Sequence, residues 1–200
     1  MSDEADRIVG LYRRHARAWA ADRGTEPAEG PWLDRFRALL PAGAPVLDIG
    51  CGSAEPIACR LIESGHAVTG VDSSPEMIAL CEERFPLGDW RVADMRTLRL
   101  GRAFGGLLAW DSFFHLRPDD QRRMFPAFRA HAAPGAALMF TSGPAHGVAM
   151  GQFRGEPLYH ASLDPAEYRA LLDANGFEVA AHAAEDSNCG GRTVWLARLG

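Results

Sequence analysis

Apolar positions recur along this chain in two rhythms, one helical and one of short continuous runs. Ile8, Leu11, Tyr12, His15 and Trp19 fall near one helical face, which predicts an amphipathic helix from Ala5 to Arg23. Gly24 to Pro31 breaks that pattern, and Trp32 to Leu40 predicts a second helix stopped by Pro41 and Gly43. Short apolar runs of strand length then alternate with helical segments. The first begins at Val46 and reaches Asp48, and the second, Ala67 to Val71, ends in Asp72. The third ends at Asp94, the fourth covers Gly105 to Asp111, and the fifth runs to Ser142.

The helices between them carry their own punctuation. One spans Pro56 to Ser64 and closes at Gly65. Ser74-Pro75-Glu76 reads as N-cap, first-turn proline and first-turn acid of a helix reaching Arg84. Pro118 to His131 starts with Asp119 and Asp120. Asp164-Pro165-Ala166-Glu167 is a capping box, and its helix stops at Asn175-Gly176. Phe177 to Ala184 and Arg192 to Leu199 follow as two strands across a glycine-rich turn. Alternating strands and helices predict a parallel sheet covered on both faces, and the closing hairpin predicts a last strand that runs antiparallel. Between the fifth strand and the next helix lies a long segment, Gly143 to Leu163. It mixes spaced glycines with His146, Phe153, Tyr159 and His160, which reads as a substrate lid.

Length and charge narrow the class. Two hundred residues suit one domain, with 47% hydrophobic and 24% charged residues. A net charge of −5 argues against nucleic acid as partner. The acidic start lacks the pattern of a secretory signal and no apolar run is long enough for a membrane, so the cytoplasm is expected. The chain has no lysine, which excludes lysine Schiff bases and the Gly-Lys-Ser/Thr phosphate loop. Cys51, Cys59, Cys81 and Cys189 form no C-x-x-C pair, so no metal site is expected. Cys51 has no base at motif spacing that would make it a nucleophile.

The most specific feature is Val46-Leu47-Asp48-Ile49-Gly50-Cys51-Gly52-Ser53-Ala54-Glu55-Pro56. A strand ends, two glycines follow at alternate positions, and a helix begins, which lets backbone approach a ligand. Asp72, about twenty residues on, stands where a carboxylate can hold both ribose hydroxyls. A dinucleotide fingerprint would place a third glycine where this chain has Glu55, and a carboxylate there repels a pyrophosphate. A nicotinamide-dependent oxidoreductase is therefore the weaker alternative. S-adenosylmethionine carries no phosphate, and its sulfonium tolerates acids.

On these residues the chain resembles the class I S-adenosylmethionine-dependent methyltransferases of the small-molecule type. Asp48, Gly50 and Gly52 match the family's first motif, with Ala54 in place of its last glycine. VTGVDSSPEM, Arg91 to Met95, Leu107 to Leu116 and Ala133 to Phe140 follow in the family's order. The resemblance implies an α/β, Rossmann-like single domain with a seven-stranded sheet of order 3-2-1-4-5-7-6, the last strand reversed. Residues 1–40 would form a helical cap, 44–142 the cofactor-binding core, 143–163 the lid and 164–200 a closing helix and strand hairpin. It implies S-adenosyl-L-methionine as cofactor and a methyl transfer to an O, N or S atom of a small molecule. Asp72 and Ser73 would meet the ribose, Asp94 the adenine amino group, and Met77 and Met95 the adenine faces. Asp48, Gly50, Cys51, Gly52 and Trp110 would line the cofactor, with Tyr12 and Trp19 closing over it or over the acceptor. Arg23 is either the partner of the cofactor carboxylate or a solvated arginine.

Asp111 ends the fourth strand and His115 lies just after it, beside the reaction centre in such a fold, and the two are the catalytic candidates. His115 lies between apolar neighbours and reads either as a general base or as a core histidine bonded to backbone. Ala109-Trp110-Asp111-Ser112 is not the Asn/Asp-Pro-Pro-Tyr/Phe tetrapeptide of amino-methylating nucleic-acid enzymes. A non-catalytic regulatory or scaffold protein that binds the cofactor is a further alternative. The acceptor's identity and the oligomeric state stay open at the level of sequence.

Overall fold

The computed structural model describes residues 3–23 and 29–200. The expected break at Gly24 to Pro31 lies outside the described residues over 24–28. Strands β1 (Val46–Ile49), β2 (Val68–Asp72), β3 (Asp89–Val92), β4 (Phe104–Ala109) and β5 (Ala132–Ser142) pair in parallel. β8 (Phe177–Asp186) and β9 (Arg192–Leu199) complete a seven-stranded sheet of order β3-β2-β1-β4-β5-β9-β8. β9 runs antiparallel to both β5 and β8. Strand order and reversal are those expected, because the two extra strands β6 (Gly147–Phe153) and β7 (Glu156–Ser162) form a separate antiparallel pair.

Successive strand side chains point to opposite faces, and here both faces are buried, which explains the continuous apolar runs. Leu107, Ala109, Leu138 and Phe140 enter one core. α5 (Pro118–His131) and α6 (Pro165–Ala174) cover it, through residues such as Phe125, Phe128 and Tyr168. Leu108, Trp110, Ala137 and Met139 enter the other. There α2 (Gly30–Ala38), α3 (Ile57–Glu63) and α4 (Pro75–Arg84) supply Phe36, Leu61, Ile78 and Cys81. Ser74 caps α4 as expected, its Oγ accepting the Met77 N–H at 3.3 Å.

α1 (Asp3–Arg23) lies outside both layers and kinks at His15 (φ −114°, ψ 16°). Ala16 and Ala20 pack it on Met77 and Leu80 of α4, with Tyr12 and Trp19 alongside. On its other side Arg14 and His15 both meet Glu156 of β7, and Arg154 in the β6–β7 turn pairs with Asp22 at 2.7 Å. The segment expected as an irregular lid is thus a β-hairpin tied to α1. Its glycines at 147, 151 and 155 read as a loop in sequence, whereas pairing from Gly147↔Ser162 to Phe153↔Glu156 satisfies its backbone.

Candidate active site

The glycine turn leaves β1 with the N–H groups of Gly50 and Cys51 both donating to the Val71 carbonyl of β2, at 2.7 and 3.0 Å. Gly50 and Gly52 have φ of +79° and +54°, which L side chains rarely adopt. A Cβ on Gly50 would stand 2.3 Å from Ser112 Cβ, and one on Gly52 would stand 2.9 Å from the Trp19 ring. From sequence, the glycines were needed for a ligand's approach; in the fold they already make room for the loop after β4 and for α1. Ala54, where the resembling motif has its last glycine, also adopts φ +69°. Glu55 pairs with Arg84 at 2.7 Å.

Two carboxylates face each other across this turn. Asp48 on β1 is buried, and burial, then the charge of Asp72, pushes its carboxyl up to about 7, against the pull of Arg23. Asp72 accepts the Gly52 N–H at 3.0 Å and the Ser74 N–H at 2.8 Å. Burial still raises its carboxyl to about 6, the backbone bonds opposing. Asp72 therefore ties the end of β2 to the glycine turn and to the start of α4. Asp94 is half-exposed, caps the short 3₁₀ turn Met95–Thr97 through the Arg96 N–H, and pairs with the Arg96 guanidinium at 2.6 Å.

His115 is buried in the 3₁₀ turn Phe113–His115. Its Nδ1 lies 2.8 Å from the Tyr159 carbonyl, which can only accept, so Nδ1 carries the proton. Nε2 then accepts from the Tyr12 hydroxyl at 2.9 Å. Burial, with neighbouring His160, lowers its pKa to about 4. Both ring nitrogens of His115 are thus engaged, one by backbone, which is the second of the two readings of this residue. Asp111 is not a free acid either. It sits at φ +46°, its N–H donates to Thr141 Oγ1 at 2.8 Å, and its carboxylate accepts from Arg192 Nε and Nη2 at 2.8–3.0 Å.

Two adjoining cavities open at the carboxyl ends of β1, β2 and β4. The inner one, about 240 Å³, is lined by all twelve residues expected around the cofactor: Tyr12, Trp19, Asp48, Gly50, Cys51, Gly52, Asp72, Ser73, Met77, Asp94, Met95 and Trp110. Cys51 is buried beside Cys81, and that neighbour and burial raise its thiol, which leaves it a poor nucleophile. The outer cavity, about 730 Å³, shares Tyr12, Trp19, Arg23, Asp111 and His115 with the inner one and is walled by β6–β7. Of the four lid residues, His146 and His160 line it. Phe153 lines neither cavity and packs on His15 of α1 (ring centroids 5.9 Å apart). Tyr159 also lines neither and contributes its carbonyl to His115.

Three features of the site depend on partners distant in sequence or on surroundings the fold supplies. Arg23 is mostly enclosed, lines both cavities and pairs with the fully buried Glu29. Trp110 lines the inner cavity and its indole N–H is buried with no hydrogen-bond partner among the described residues. Arg192, which holds Asp111, follows two left-handed glycines, Gly190 and Gly191. No group of metal-ligating side chains occurs among the described residues, and none of the described helices is long and apolar enough to cross a membrane.

Comparison with known proteins bears on this arrangement. Residues 46–135 match the family model described as a methyltransferase domain. A Bacillus subtilis (strain 168) protein, YqeM, named as a methyltransferase, is 40% identical over 53 residues, 26% of this chain and 21% of that protein. The Streptomyces venezuelae dTDP-3-amino-3,4,6-trideoxy-alpha-D-glucopyranose N,N-dimethyltransferase is 27% identical over 108 residues, 53% of this chain and 45% of its own length. The chain thus matches less than half the length of either curated relative. Among solved structures, CalS10 with bound SAM, an amino pentose methyltransferase from Micromonospora echinaspora, superposes with a TM-score of 0.68 at 21% identity. That match covers 96% of this chain and 97% of CalS10, and it shows a shared fold.

Proposed function

We propose that the chain is a class I S-adenosylmethionine-dependent methyltransferase, a reading supported by the methyltransferase-domain match over residues 46–135 and by the strand order, and that it transfers a methyl group to an O, N or S atom of a small molecule. The observation that carries this reading is the meeting of the twelve cofactor candidates in one cavity that opens directly onto a second. The residues present fit the cofactor. Asp48 and Asp72 are enclosed together with raised pKa values, a pairing that a cationic ligand relieves. Arg23 and the unpartnered Trp110 indole N–H offer donors that a carboxylate would accept from. Asp72 retains lone pairs for ribose hydroxyls, and Asp94 and Met95 follow β3, where they would meet the adenine. Bound there, the cofactor supplies an electrophilic methyl group.

The rest of the work falls to orientation and exclusion of water. Alignment of acceptor and methyl group can contribute about 7–11 kcal/mol without any base, so the engaged state of His115 and Asp111 does not argue against turnover. The outer cavity has the size of a small-molecule site, within the range of roughly 300–1,000 Å³. Four free thiols among the described residues favour a reducing compartment, which points to the cytoplasm. Glu55 is paired with Arg84, and the enclosed carboxylates Asp48 and Asp72 favour a cationic ligand over an anionic one.

The test is turnover. The protein, incubated with S-adenosylmethionine and a mixed extract of small metabolites, is expected to form S-adenosylhomocysteine together with a product heavier by one methylene, read by mass spectrometry. Cofactor binding without demethylated cofactor under any acceptor mixture would favour the non-catalytic binding protein instead.

A further inference from the structure

We propose that the Tyr12 phenol oxygen, oriented by His115, receives an N–H of the acceptor and that the acceptor is an amine. The inference rests on the methyl-transfer reading above and concerns the junction of the two cavities. Tyr12 lines both cavities. Its hydroxyl has one proton, and that proton is committed to His115 Nε2 at 2.9 Å. The commitment is forced from behind: His115 Nδ1–H is spent on the Tyr159 carbonyl at 2.8 Å, so its Nε2 offers only a lone pair. His115 itself is closed in, with Tyr12 edge-on at 5.4 Å, His160 stacked at 4.9 Å and Phe114 at 4.8 Å between ring centroids. Tyr12 oxygen is therefore an acceptor toward the junction and cannot donate there. An incoming group must bring a hydrogen.

Charge selects among such groups. Asp111 and Asp72 both act on the phenol from the cavity side and, after burial, hold its proton on. Of the cations near the junction, Arg192 is paired with Asp111 and donates to the Cys189 carbonyl, and the charge of Arg23 is balanced by Glu29, which leaves its other N–H groups to hydrogen-bond. His160 is half-buried and its pKa is lowered, so it adds no charge at neutral pH. The junction favours a group that is or becomes positive and disfavours carboxylates, thiolates and phenolates. Amine methylation has that charge course. The bound ammonium first loses one proton to water, the freed amine lone pair forms the N–C bond, the S–C bond breaks with its electron pair left on sulfur, and the positive charge passes from sulfur to nitrogen. A proton then leaves the methylated ammonium for water. Tyr12 is a catalytic residue in this account, and His115 a positioning residue acting through it.

Calorimetry on the protein saturated with S-adenosylhomocysteine tests this with one ring scaffold: cyclohexylamine, cyclohexanol and cyclohexanecarboxylate. The amine is expected to bind tightest. Tyr12→Phe, which keeps the ring, is expected to weaken the amine about tenfold or more, the loss of one charge-assisted hydrogen bond, and to weaken S-adenosylhomocysteine by less than it weakens the amine. His115→Leu, which frees the Tyr12 proton without removing the phenol, is expected to shrink the preference for the amine over the alcohol. Equal or tighter binding of the carboxylate or alcohol by the wild type, binding of none of the three, or a preference untouched in both folded variants overturns the proposal. Failure of S-adenosylhomocysteine itself to bind would instead overturn the methyl-transfer reading, so the two failures are distinct.

Discussion

Asp72 shows how one side chain serves fold and site together. Its two oxygens accept from Gly52 and Ser74, which joins β2, the glycine turn and the start of α4. The sequence offered a ribose ligand, and the geometry adds a cap while leaving lone pairs toward the cavity. Asp72→Asn separates the roles, because an amide keeps one acceptor oxygen and loses the charge. The variant is expected to fold with a loss of about 1 kcal/mol for one backbone bond, and to bind S-adenosylmethionine about 10–100-fold more weakly. Chemical denaturation and calorimetry measure the two effects; unchanged affinity in a folded Asp72→Asn would remove Asp72 from the cofactor site. Other residues gave no local sign. Asp111 meets Arg192 across 81 positions and Tyr12 meets His115 across 103, and no spacing rule reaches so far. Trp110 was placed at the cofactor as the residue that ends β4, but an orphaned indole N–H is visible only once its surroundings are built.

At the level of elements, the strands and helices of the sheet were legible because each carries its own signal. Ser74 caps α4, Asp164 caps α6, and double burial makes Val46, Leu47 and Ile49 of β1, Leu107 to Ala109 of β4 and Ala136 to Phe140 of β5 apolar. The β6–β7 hairpin was not legible. Pro144, Pro157 and the spaced glycines give it the composition of a loop, and Val148 and Met150 on β6 are exposed rather than alternating into a core. What holds it is charge across elements: Glu156 accepts from Arg14 and His15, which depress its carboxyl to about 2. A depressed carboxylate keeps its partners above the ordinary glutamate range and releases them as pH falls from about 4.5 toward 2. Glu156→Gln removes the tie at neutral pH. Hydrogen exchange is expected to quicken across residues 147–162 and in α1 around His15, with β1, β4 and β5 unchanged. Exchange in the hairpin unaffected by the substitution would mean that the ion pairs do not dock it.

Over the whole molecule, the sheet brings the ends of β1, β2 and β4 together, and α1 with the hairpin closes them from outside. The enclosed carboxylates Asp48 and Asp72 are the electrostatic centre of that arrangement. In the free protein their pKa values stand near 7 and near 6, because burial disfavours charge at both and the charge of Asp72 further opposes ionisation of Asp48. A ligand with a fixed sulfonium charge binds the ionised pair best. Its affinity should therefore rise as pH increases through about 6 and then 7, and flatten above, with protons released on binding in that window. Calorimetric titration of the wild-type protein with S-adenosylmethionine between pH 5.5 and 8.5 measures this most directly. One-to-one binding that tightens with pH, and no heat from a nicotinamide dinucleotide under the same conditions, is the result this account requires. Absence of S-adenosylmethionine binding, or binding of the dinucleotide in its place, would contradict it.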